Sequence, residues 1–159
     1  MALEVDENYE FQVRSWRVQR FGWVGMCLVI GAALAGFIGP GPLGDRTLTS
    51  NSGLQLRYDR FVRYEAPASM EIQLRAGSGS RAEFWIEGPW LESVHVETIV
   101  PEPERVVVKD GRMLVAIAAA AGESVHAIVH FEADTWGALS GAVGALGDPG
   151  LSIEQFAYP

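Results

Sequence analysis

Val106-Val107-Val108-Lys109-Asp110-Gly111-Arg112-Met113-Leu114-Val115-Ala116-Ile117 reads as two apolar runs joined by Asp110-Gly111. An Asp-Gly pair tolerates the positive φ angles of a two-residue hairpin turn, so the stretch predicts a tight β-hairpin. The same grammar continues on both sides. Towards the C-terminus, Gly122-Glu123 is a turn, and Val125, Ala127, Val129 and Phe131 mark one face of a strand. Leu139 to Leu146 is a small-residue strand with Gly141 and Gly144, and Leu151 to Tyr158 closes the chain.

Towards the N-terminus, Pro101 and Pro103 stop a strand whose one face is Val94, Val96, Thr98 and Val100. Gly88-Pro89 stops Ala82 to Glu87, and Gly77-Ser78-Gly79-Ser80 is a turn. Met70, Ile72 and Leu74 alternate with Glu71, Gln73 and Arg75, the period of a half-buried strand. Ala66-Pro67 breaks a first strand that starts at Leu54, Leu56 and Tyr58 and runs towards Tyr64. Strands separated by turns, with no amphipathic helix between them, predict an all-β fold: an antiparallel β-sandwich of Ig-like type over residues 54–159.

The region before it obeys different physics. Phe21 to Pro40 is twenty residues without a charge, FGWVGMCLVIGAALAGFIGP. As a helix this run is about 30 Å long, the thickness of a bilayer's hydrocarbon core. It shows no polar face for a soluble fold to leave in water. The expectation is a transmembrane helix at 21–40, a tail at 1–20 and a Gly/Pro/polar linker at 41–53. Arg14, Arg17 and Arg20 crowd one flank and only Arg46 follows on the other, which places the N-terminus in the cytoplasm and the β-domain outside the inner membrane. Trp16 and Trp23 stand where an aromatic interface belt would be, and the arginines suit anionic lipid. The rival reading is a cleaved signal peptide cut after Ala35, at Ala33-Leu34-Ala35. The long tail and the continuation of the run through Phe37 and Ile38 favour an uncleaved anchor.

Within the span, Gly31 with Ala35 and Ala32 with Gly36 have the spacing that lets helix backbones approach closely. The partner this implies is an integral membrane protein, or a second copy of the same helix. Twelve Lys and Arg against twenty Asp and Glu give a net charge of −8, which disfavours nucleic acid. The single cysteine, Cys27, lies in the apolar run, so the outer domain has no disulfide and must stand on its core.

Arg57, Arg60 and Arg63 lie close together within the stretch Arg57 to Tyr64. Read as one strand, Arg57, Asp59 and Arg63 share a face and Arg60 takes the other. Surface ion pairing is one use for them and partner contact near the membrane is the other. Trp85, Trp90 and Trp136 could join such a contact, although core packing is the default for each. His126 and His130 share a strand face but sit about 13 Å apart, too far for one metal even if His95 approached. Ser140 lacks a hydrolase elbow, no glycine loop cradles phosphate, and the carboxylates are scattered. No catalytic residue, cofactor or metal is therefore expected.

Val13 to Arg20, Arg60-Phe61-Val62-Arg63 with Ala66-Pro67, Pro101 to Arg105, and the ending Gln155 to Pro159 together resemble small bacterial single-pass membrane proteins associated with YetF-like membrane proteins. The resemblance rests on short motifs and implies a membrane partner and no catalytic residues. The reading that follows is a non-enzymatic accessory subunit, its helix packed in the bilayer and its β-domain over the partner's outer face. A free-standing module that binds a ligand or polymer is the alternative, and a small envelope enzyme is the third choice.

Overall fold

The computed structural model describes residues 9–34 and 44–159, without the side chains of 9–14. The Asp-Gly stretch folds as expected: β7 (Arg105–Lys109) and β8 (Arg112–Ala118) pair antiparallel with Lys109 opposite Arg112. Asp110 and Gly111 both take positive φ, 52° and 73°, the geometry that matches a tight turn to the strand twist.

The remaining strands are β1 (Asp45–Thr49), β2 (Gln55–Asp59), β3 (Phe61–Arg63), β4 (Pro67–Arg75), β5 (Arg81–Glu87), β6 (Val94–Val100), β9 (Ser124–Ala133), β10 (Gly137–Ala145) and β11 (Leu151–Tyr158). They form two sheets, ordered β1-β2-β4-β9-β6 and β3-β11-β10-β5-β8-β7. The alternation read from sequence decides what lies between them. Leu56, Met70, Ile72, Val129 and Phe131 of the first sheet meet Phe84, Ile86, Val115, Ile117 and Ile153 of the second in one apolar core. Each such side chain contributes about 1.5–3 kcal/mol on leaving water, which is how a domain without disulfides holds. The fold is a β-sandwich.

Four local features depart from the sequence reading. The face expected from Val94, Val96, Thr98 and Val100 does not hold through β6: the register shifts between Val96 and Thr98, so Ile99 is buried and Val100 exposed. Asp45–Thr49, expected as linker, is strand β1, paired along its whole length with β2. Its threonines are β-branched, and Leu48 packs against the core. The first strand does not run on to Tyr64. It breaks at Arg60, and the chain passes from one sheet to the other: the Arg60 N–H donates to the Gly44 carbonyl at 2.8 Å, and its carbonyl accepts from the Phe156 N–H at 2.7 Å. β3 then runs parallel to β11, and an isolated parallel bridge joins Tyr64 to Ala133, whereas the other pairings between strands of the described residues are antiparallel. Finally, Gly88-Pro89 does more than end a strand. It opens a single helical turn, α2 (Pro89–Glu92), that drives Trp90 fully into the core.

The glycines of β10 have a packing reason. A Cβ on Gly141 would stand 2.7 Å from Trp90 Cβ, and one on Gly144 would stand 2.5 Å from the Trp85 ring. Both tryptophans lie against bare backbone, and Trp85 is 4% exposed although it faces away from the core. Its indole N–H donates to the Ala145 carbonyl at 3.0 Å, and Arg112 stacks 4.5 Å above the ring.

The N-terminal element is α1 (Tyr9–Leu34), which begins well before the apolar run. Residues 35–40 of the expected span lie outside the described residues. Among those described, no helix is long and apolar enough to cross a membrane.

Candidate interaction surface

Helix α1 carries its large apolar side chains in the open. Phe21 is 76% exposed, Leu28 69% and Leu34 82%. Trp16, Arg17, Arg20 and Trp23 are exposed as well, and the Arg20 guanidinium lies 5.1 Å above the Trp16 ring. Arg14 belongs to the same helix. A Cβ on Gly31 would meet nothing within 4 Å, so the small-residue face is open there, and Ala32 is half-buried. Ala35 and Gly36, the other half of that face, lie outside the described residues.

The three arginines of the β-domain do not share a strand. Because the chain changes sheet at Arg60, Arg57 and Arg63 belong to different sheets, which corrects the expectation of a common face. Arg57 is occupied: its guanidinium sits 2.8 Å from Asp45 and holds that carboxyl below its usual range. The adjacent Asp59 is pushed the other way, by partial burial and by the nearby Asp45. Arg60 and Arg63 are exposed, and among the described residues neither makes an ion pair.

Arg60 and Arg63 have aromatic company. The register sets Ala138, Phe156 and Phe61 side by side on β10, β11 and β3, with Tyr158 opposite Arg63. The alternate residues Val62 and Ala157 are buried, so Phe61, Arg63, Phe156 and Tyr158 face outward. Arg60 reaches over the Phe61 ring at 5.9 Å. Trp136 lies just before β10 and is 75% exposed, unlike Trp85 and Trp90, so core packing fails for one tryptophan of the three. Phe156 is 47% exposed. Exposed aromatics beside arginine are the composition of contact surfaces, not of ordinary solvated faces. The sequence showed Arg60, Arg63 and Trp136. Phe61, Phe156 and Tyr158 were missed, because only the β3–β11 pairing brings distant segments into one row.

A second feature is an apolar groove of about 470 Å³ where the sandwich opens between the edge strands β6 and β7. Leu91, Val96, Ile99, Val106, Val108 and Met113 are among its walls. Val106 and Val108 are 45% and 65% exposed.

The histidines lie on the outer side of the first sheet, spread over β6 and β9. His126 Nε2 is 3.4 Å from Glu71. No group of three His, Cys, Asp or Glu among the described residues is placed to hold a metal ion. Ser50 and Ser52 both hydrogen-bond Asp148, Ser52 at 2.6 Å, and hold its carboxyl below the usual range; they tie the β1–β2 turn to the β10–β11 turn. No protein-family model matches the chain, and no curated protein matches it.

Proposed function

We propose that this protein is a membrane-anchored accessory subunit without an enzymatic role. Residues 21–40 cross the inner membrane with the N-terminus in the cytoplasm, and the β-sandwich stands over the outer face of an integral membrane partner. The observation that carries this reading is the exposure of α1. Side chains such as Phe21, Leu28 and Leu34 face outward along a charge-free run. Leaving each in water costs about 1.5–3 kcal/mol, and a bilayer removes that cost. The open face at Gly31 and the small residue Ala32 suit close helix packing. Tethering then holds the sandwich beside its partner at an effective concentration in roughly the millimolar range. The resemblance to proteins associated with YetF-like membrane proteins supports a partner of that kind.

The strand order supports an Ig-like assignment for the sandwich. Reading β2, β4, β5, β6, β9, β10 and β11 as strands A to G gives A-B-E-D in one sheet and G-F-C in the other, the constant-type order. The β7–β8 hairpin extends the C edge, and β1 and β3 add to the A and G edges.

The groove between β6 and β7 favours the second reading, a free-standing module that binds a ligand or polymer. Purification in mild detergent separates the two. The subunit reading expects a larger membrane protein to co-purify, and expects Ala32→Leu with Gly36→Leu to release it. A lone monomer or homodimer, indifferent to those changes, supports the binding module instead.

A further inference from the structure

We infer that the end of the sandwich bearing Arg60, Phe61, Arg63, Trp136, Phe156 and Tyr158 rests on the phospholipid headgroup layer. The inference builds on the anchored reading above and adds a second, separate membrane contact made by the β-domain itself.

The argument begins with where the chain joins the sandwich. Asp45 starts β1 opposite Asp59, the last residue of β2, and the Gly44 carbonyl accepts the Arg60 N–H at 2.8 Å. β2 runs towards this end. β3 continues from Arg60 in parallel with the final strand, so Arg63 and Tyr158 lie at the same end. The Tyr64 N–H donates to the Tyr158 carbonyl at 2.8 Å and extends the pairing there. The turn around Ser78, which joins the far end of β4 to β5, lies at the opposite end.

Chain length then fixes the distance. With the span ending at Pro40, only residues 41–43 separate it from Gly44. The four steps from Pro40 to Gly44 reach at most about 14 Å even when fully extended. The headgroup layer on each side of a bilayer is itself roughly 5–8 Å deep. Gly44, and Arg60 hydrogen-bonded to it, are therefore held within about 14 Å of the end of the span, close enough for this end of the sandwich to meet the headgroups.

The chemistry of that end fits the place. Tryptophan and tyrosine present an apolar ring and a polar tip, and they concentrate at membrane–water boundaries. Trp136 is 75% exposed and Phe156 47%. Arg60 and Arg63 supply cations for lipid phosphate at an anionic surface. Glu65 and Asp134 also stand at this end; the Glu65 side chain, with a smaller push from Asp134, raises the Tyr64 phenol above its usual range. Their charge limits attraction for anionic lipid at long range, so contact depends on the tether and the aromatic rings as well as on the two arginines.

The test uses the full chain in vesicles of phosphatidylcholine and phosphatidylglycerol doped with a nickel-chelating lipid. Cys27→Ala removes the native thiol, and a spin label is placed at Trp136→Cys, Ala138→Cys or Ser78→Cys in turn. The expected result is relaxation enhancement several-fold stronger at 136 and 138 than at 78, reduced when Arg60→Gln and Arg63→Gln are added. Equal, weak enhancement at all three positions while the chain floats with the vesicles would overturn the inference and leave anchoring intact. Dipolar broadening between labels at 136 without nickel enhancement would also overturn it, in favour of a second copy on this face. A chain that does not float at all sinks both the inference and the anchored reading.

Discussion

The Trp90 indole N–H donates to Gln155 Oε1 at 2.6 Å, and the Gln155 Nε2 donates onward to the Asp59 carbonyl at 2.7 Å. Gln155 is 4% exposed, the one buried polar side chain among the described residues. Through it, α2, β11 and the end of β2 share one set of hydrogen bonds just where the chain changes sheet. The Trp90 ring also meets Phe131 edge-on, centroids 4.9 Å apart. The amide therefore orients the ring at the centre of the core.

Gln155→Leu keeps the volume and removes both partners. A buried donor or acceptor left alone costs about 1–3 kcal/mol. The expected outcome in urea denaturation is a loss of that order, with the slope unchanged. Trp90→Phe removes the donor from the other side, so the double variant should lose less than the sum. Strict additivity would show that the two side chains do not act together.

Gly144→Ala places a methyl group against the Trp85 ring, and Gly150→Ala does so from the adjoining turn at a φ of 89°. Overpacking of this kind costs about 1–3 kcal/mol. Both variants are expected to melt earlier than the parent protein. For Gly144→Ala, Trp85→Leu should recover part of the loss by vacating the ring's place. Gly79→Ala, where a Cβ meets nothing within 4 Å, is the control and should change little.

Asp148 gives a pH dependence with a definite sign. Hydrogen bonds from Ser50 and Ser52 lower its folded-state pKa. Its stabilising effect is therefore complete above the unfolded value, about 3.9, and fades as pH falls through the lower folded value. Asp148→Asn should unfold more easily than the parent at about pH 7, and the difference should close towards about pH 2. A difference that persists in acid would mean that the charge is not what the two hydroxyls stabilise.

The sandwich was legible because its cause is local. Alternation in Met70 to Arg75 and Val125 to Phe131 marks which side chains meet water, and Asp110-Gly111 marks the turn by its backbone needs. The change of sheet at Arg60 was not legible. The alternation of Leu54 to Tyr58 lapses at Asp59-Arg60 and Phe61-Val62, which marks an interruption, but only pairing with β11, at the far end of the chain, decides that the chain crosses there to the other sheet. Trp136 and Trp85 illustrate the same limit. One is exposed and the other covered, and the difference comes from Gly144 and Gly150, which lie close to Trp85 only after folding. The contact row of Phe61, Phe156 and Tyr158 is likewise a product of strand pairing. By contrast, the apolar run at 21–40 is a property of sequence alone.

Sidedness is most directly read by labelling a single thiol in intact spheroplasts. With Cys27→Ala and Ser78→Cys, a membrane-impermeant maleimide should modify the full-length, membrane-bound protein without lysis. Modification only after the membrane is broken would contradict a β-domain outside the cytoplasm. Full-length protein found in the soluble fraction would contradict the anchor itself.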